Sequence, residues 1–206
     1  DAGLGTLRLA GAWTSSGTLR VADGTLELGG TFVTAGIGTI VRAGPGTLSL
    51  TGTLDNTGAT LALDATTGSW TVNGGTIQGG TVTETGGARL AFTTNRNNRL
   101  DGVTLNGDLD LASVNGARTT IQNGLTLNGT ATIGAAGTYG LLDVSGSQAL
   151  GGTGTIIFSD HACNGIRVAT AATTLTLGPG ITVRGHSGQI GYDNCIGGPV
   201  DGTVVI

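Results

Sequence analysis

The stretch Thr25-Leu-Glu-Leu-Gly-Gly-Thr-Phe32 decides the fold. Leu26 and Leu28 lie two apart, the period of a strand that turns both side chains to one face. Glycine then bends the chain, and Phe32 opens the next apolar step. The same phrase, apolar-x-Gly-x-apolar, returns in Leu9-Ala-Gly-Ala-Trp13, Leu50-Thr-Gly-Thr-Leu54, Leu105-Asn-Gly-Asp-Leu109 and Leu127-Asn-Gly-Thr-Ala131. Later copies are Leu150-Gly-Gly-Thr-Gly154 and Leu177-Gly-Pro-Gly-Ile181, and Val72-Asn-Gly-Gly-Thr-Ile77 fits with one extra residue. A phrase that repeats about every 22 residues marks a repeat architecture, because no single unit can bury its own apolar face.

Each unit reads as one coil of three short strands separated by tight corners. The chain is then all-β: a single-stranded parallel β-helix, or β-solenoid, of about nine coils stacked roughly 4.8 Å apart. Residues 1–206 form one continuous body. First strands carry pairs such as Leu48/Leu50, Trp70/Val72, Val103/Leu105, Leu125/Leu127 and Leu175/Leu177 inward, with Thr104, Asn106 and Thr126 outward. Second strands carry Leu109/Leu111 and Ala131/Ile133, and third strands Leu61/Leu63, Leu90/Phe92 and Leu142/Val144. A helical reading fails, since apolar spacing of three and four is absent and each interior glycine would cost nearly 1 kcal/mol against alanine. Two intervals exceed the period, Val72 to Leu105 and Leu150 to Leu177. The excess is expected as corner insertions near 93–99 and 159–164, where solenoids place binding loops. Asn95, Arg96, Asn97, Asn98 and Arg99 form the candidate binding loop.

Composition narrows the partners. Gly is 41 of 206 residues and charged residues are 11%, yet the leucines and valines keep register, which sets the chain apart from disordered linkers. Net charge is −4, and the basic complement consists of scattered arginines, so no nucleic-acid footprint is present. No apolar run is long enough to enter a bilayer. The chain opens at Asp1 without an initiator methionine and ends in mid-strand at Ile206. It is therefore expected to be a processed or excised piece, its ends covered by flanking coils of a parent chain or by identical subunits stacked head to tail.

The corners Thr71-Val-Asn-Gly74, Thr104-Leu-Asn-Gly107 and Thr126-Leu-Asn-Gly129, in a Gly/Thr/Asn-rich setting, resemble those of bacterial secreted β-solenoid proteins of the filamentous-haemagglutinin adhesin and autotransporter-passenger type. That resemblance implies a right-handed parallel β-helix and an extracellular or cell-surface location. It also implies a structural or adhesive role towards surface or matrix ligands.

Side-chain chemistry offers few alternatives. Cys163 and Cys195 fall in neighbouring coils and lack metal-ligand spacing, so a disulfide is expected; closing such a loop is worth roughly 3–4 kcal/mol in the chain-entropy model. Asn73, Asn106 and Asn128 share one place in the phrase and are expected to form a structural amide ladder. A polysaccharide-cleaving site would need Asp160 and Asp193, with His161 and His186 nearby, to converge about 5–9 Å apart. An ice-binding face would need Thr130/Thr132 and Thr153/Thr155 to stack as paired columns with Thr31 and Thr53. The favoured expectation is no catalysis, no metal and no cofactor, with a self-assembling filament subunit, an enzyme and an ice-binding solenoid as alternatives.

Overall fold

The computed structural model describes residues 2–206. It is a parallel β-solenoid of about eight turns, about 23 residues apart, with 56% strand and 1% helix. Three faces run the length of the stack. The first face is built by Thr6–Leu9, Thr25–Leu28, Thr47–Leu50, Trp70–Val72, Leu90–Phe92, Leu109–Leu111 and Thr130–Ile133. It ends with the opening parts of Thr155–Val168 and Thr182–Gly191. Thr31–Val33, Thr53–Asp55 and Thr76–Gln78 start the second face, which passes through Arg99–Asn106 and Ala117–Leu127 to Gly140–Val144. The third face runs from Thr60–Leu63 through Thr81–Glu84 to Gln148–Gly152, Thr174–Leu177 and Thr203–Val205. Below it, Thr18–Val21 and Thr39–Arg42 pair as a separate two-stranded sheet.

Alternation decides burial. Leu26, Leu28, Leu48, Leu50, Trp70, Val72, Leu90, Phe92, Leu109 and Leu111 all point inward and are sealed by the coils on either side. Val103, Leu105, Leu125, Leu127, Leu175 and Leu177 are buried as expected, and Asn106 and Thr126 are exposed, while Thr104 is half-buried. Parallel ladders place a similar strand along each edge of an interior strand, so the core is a set of columns built mainly of leucine, isoleucine and valine.

The repeat phrase does not keep one place in the coil. Up to Val72 it turns the first face into the second: Leu28 pairs with Leu50, and Leu50 with Val72. From Leu105 onward it turns the third face into the first, because Leu105 pairs with Val82 below and Leu127 above. The long interval from Val72 to Leu105 is thus a whole coil, to Phe92, plus two further faces, both spanned by Arg99–Asn106. The coil that carries 93–99, from Leu90 to its partner Leu109, is in fact shorter than the next, from Leu109 to Ala131. The expected faces are therefore displaced after Val72: Leu90/Phe92, expected on the third strand, lie on the first face, and Leu142/Val144, also expected on the third, lie on the second. The physical reason is that the phrase encodes a tight corner between two inward side chains, and any of the three corners can be the tight one. Near 159–164 the pairing of Thr155–Val168 with Thr182–Gly191 shifts register between Asp160 and Gly165, so surplus residues do sit there.

Candidate functional site

Where the third face turns into the first, Glu84, Arg89, Asp108, Asp110, Ser113 and Thr132 border a hollow of about 490 Å³. Glu84 reaches it from the end of Thr81–Glu84 by lying against Gly107, where a Cβ would come within 2.6 Å of its Cγ. Its Oε1 accepts the Leu90 N–H at 2.6 Å and its Oε2 the Asp108 N–H at 2.7 Å. Burial pushes the Glu84 carboxyl above the usual range, helped by the Asp108 charge and opposed by those two N–H donors and Arg89. Asp110 goes the other way. Burial would raise it, but the Ser113 hydroxyl, the Ala112 and Ser113 N–H groups and Arg89 at 3.4 Å together hold it below the usual range.

Two carboxyls displaced in opposite directions are what acid–base chemistry uses. Here, however, both Glu84 oxygens and both Asp110 oxygens already accept hydrogen bonds from the chain's own corners. The cluster braces adjoining coils. Because the folded-state pKa of Asp110 is depressed, its contribution is present above the ordinary aspartate value of about 3.9 and is lost as pH falls through the lower folded value. The stability gap between the parent and Asp110→Asn, read from urea midpoints, is expected to stay constant from neutral pH down to mildly acidic pH and to close only below it. A gap that already shrinks near pH 6 contradicts this assignment.

The candidate loop is largely self-occupied. Asn98 is fully buried: its Nδ2 donates to the Thr93 and Arg118 carbonyls at 3.0 and 2.9 Å, and its Oδ1 accepts the Gly74 N–H at 2.6 Å. Asn95 accepts the Asn97 N–H at 3.0 Å and lies over Gly74, while Arg99 donates to Gln122 at 2.5 Å. Only Arg96 and Asn97 face solvent.

The amide ladder has two rungs rather than three. Asn128 donates to Asn106 at 2.8 Å, whereas Asn73 sits at the other corner and accepts from Thr93 at 3.1 Å. This is the same change of corner that rotates the repeat. The threonine pairs also fail to stack as two columns, since Thr130 pairs with Thr155 but Thr132 with Ile157, and Thr31 and Thr53 lie on the second face. Asp160 pairs with Ser187 and is exposed; Asp193 is buried and turned into its own loop, where Oδ1 accepts the Cys195 and Ile196 N–H groups. His161 accepts the Cys163 N–H through Nδ1 and packs against Tyr139, and His186 is exposed.

Cys163 and Cys195 form a disulfide, with Cα atoms 5.4 Å apart. Such a bond is compatible with an extracellular location. Among the described residues no group of three or more His, Cys, Asp or Glu is arranged to hold a metal ion, and no helix is long and apolar enough to cross a membrane.

Two features had no trace in the repeat. Asn56, Asn98 and Asn164, all fully buried, work alike: Oδ1 accepts from the coil below and Nδ2 donates to the coil above. Asn56 links Thr34 to Thr81, and Asn164 links Gly140 to Ser187. The second feature is a buried ion triad, in which Asp143 receives Arg118 at 2.5 Å and Arg167 at 2.8 Å. Neither a protein-family model, nor a curated protein, nor a solved structure matches the chain.

Proposed function

We propose that this β-solenoid is a structural or adhesive segment of a secreted bacterial surface protein, with further coils seated on its two ends. The observation that supports the reading is the state of the end coils. Leu9, Trp13 and Leu19 in the first coil and Ile181, Val183, Ile190 and Val204 in the last are only partly covered, where their column-mates between are sealed. On the first face the outer strands Thr6–Leu9 and Thr182–Gly191 each pair on one side only among the described residues, which leaves an edge that can template another parallel coil. The disulfide and the polar, threonine-led outer faces suit an extracellular stalk.

The first-face column bears on which coil docks. Its outward positions run Arg8, Glu27, Ser49, Thr71, Ala91, Asp110, Thr132, Ile157, Arg184. A second copy continuing this ladder would place Arg184 beside Arg8, and like charges opposite one another are destabilising. A flanking coil of a parent chain with a carboxylate at that place is the better partner, and the head-to-tail filament is the alternative. Sedimentation and electron microscopy of the 206-residue chain test the pair. Weak, salt-promoted end association without long fibres is expected. Fibres along the coil axis at low salt favour the filament subunit, and a strictly monomeric chain at millimolar concentration whose end coils are ordered and dry overturns docking at both ends.

A further inference from the structure

The second face carries a patch that is covered from outside. In Gly140–Val144, Leu142 and Val144 point into the core, so Leu141 and Asp143 point outward; yet Leu141 is 0% and Asp143 4% exposed. The cover is supplied in part by residues 192–200, between Gly191 and the strand Thr203–Val205. Asp193 enters the notch left by Gly165, where a Cβ would lie 2.5 Å from Asp193 Oδ2 and 3.3 Å from Leu141 Cδ2. The Gly197 carbonyl accepts Arg167 Nη1 at 3.3 Å, and Asn194 N–H donates to Gln189 at 2.8 Å.

Little else holds this segment. Its apolar side chains contribute weakly, since Ile196 is half-buried and Val200 is 83% exposed. Asp193 Oδ2 is buried without a hydrogen-bond partner, so seating that carboxylate is itself unfavourable. The coils beneath are secured independently: Ile166 pairs with Leu142 on one side and Ile190 on the other through the backbone ladder. What fastens the segment is the bond from Cys195, which is exposed, to Cys163 at the register shift of the strand below.

We propose that residues 192–200 are a redox-latched strap, held over Leu141 and the Asp143 ion pairs by the Cys163–Cys195 disulfide and released by an external dithiol while the coils stay wound. In the opening step the thiolate of the dithiol attacks the Cys195 sulfur, forming a mixed disulfide there as the protein S–S bond breaks and Cys163 leaves as a thiolate. The second thiol then closes the reductant into a cyclic disulfide, leaving Cys163 and Cys195 each with a proton. Two electrons pass from the dithiol to the protein, and no other co-reactant is needed. Once the tether is gone, the segment samples open states of the low-stability kind expected of loops with few apolar contacts.

The test uses the whole chain in oxidised form, after dithiothreitol, and as Cys163→Ser/Cys195→Ser. A protease that cuts before aspartate reads access to Asp193, and hydrogen exchange reads the amides of Cys195, Ile196 and Gly197. Cleavage before Asp193 and exchange of those amides are expected to rise by about tenfold or more on reduction and in the double variant. Exchange at Leu142, Val144 and Ile166 is expected to stay within about twofold of the oxidised chain. Unchanged cleavage and exchange would mean that packing alone holds the strap. Loss of protection spreading to Leu142 and Ile166 would mean that the disulfide secures the coils themselves; either result overturns the proposal.

Discussion

Asp143→Ala is expected to lower the unfolding free energy by about 3–5 kcal/mol, because it leaves two arginines largely out of water without their shared carboxylate. The side chains of Arg118, Asp143 and Arg167 are 8%, 6% and 15% exposed, which removes the solvent screening that makes surface pairs weak. The cost comes from the orphaned positive charges more than from any surplus worth of the pairs. Replacing all three residues with apolar side chains of similar volume should therefore recover much of the loss. Urea denaturation of the single and triple variants at neutral pH measures both. A loss under about 1 kcal/mol for Asp143→Ala would show that Arg118 and Arg167 reach other acceptors or water once the carboxylate is gone.

Trp70→Ala is expected to cost a similar amount, about 3–5 kcal/mol, through the cavity it opens. Trp70 is the largest fully buried side chain, beside Leu48 of one coil and Leu90 of the next, and no neighbour can swing in to fill its place without breaking the ladder. Trp70→Phe should behave differently. The indole Nε1 is buried with no hydrogen-bond partner, so phenylalanine removes an unsatisfied donor along with some volume. The two effects oppose, and the net change is expected to stay within about 1 kcal/mol. Thermal melts of both variants decide the matter: a phenylalanine variant as damaged as the alanine one would mean that the N–H is satisfied by water.

Much of this fold was legible because a parallel ladder writes burial into the chain with a period of two. Leu125/Leu127 and Leu175/Leu177 needed only that period and the glycine after them. The same glycine could not say which corner it belonged to, since Leu50-Thr-Gly-Thr-Leu54 and Leu105-Asn-Gly-Asp-Leu109 are equivalent as local turns but lie on different edges of the stack. Cys163 and Cys195 could be paired because both fall at the last coils. The roles of the asparagines were hidden for the opposite reason. Asn97 is exposed and Asn98 buried, and what separates them is the position of the Gly74 N–H one coil away, which no local pattern records. Arg118 and Asp143 occupy outward positions and therefore read as surface charges; their burial depends on segments that cross the outside of the second face. Glu84 was likewise invisible as a partner of Asp108 until Gly107 left room for its side chain.

Asn56, Asn98 and Asn164 also give the stack an uneven resistance to force. A tether pulling the last coil away along the axis would peel ladder strands one after another, each against a modest and nearly constant resistance. At these three asparagines the moving coil must also tear free of an amide that grips the neighbours on both sides, in a place water enters only after the tear has begun. The molecule is thereby partitioned into stretches that yield readily between points that catch. For a stalk under shear, such catches would confine damage to the outermost coils and let them rewind when the load drops.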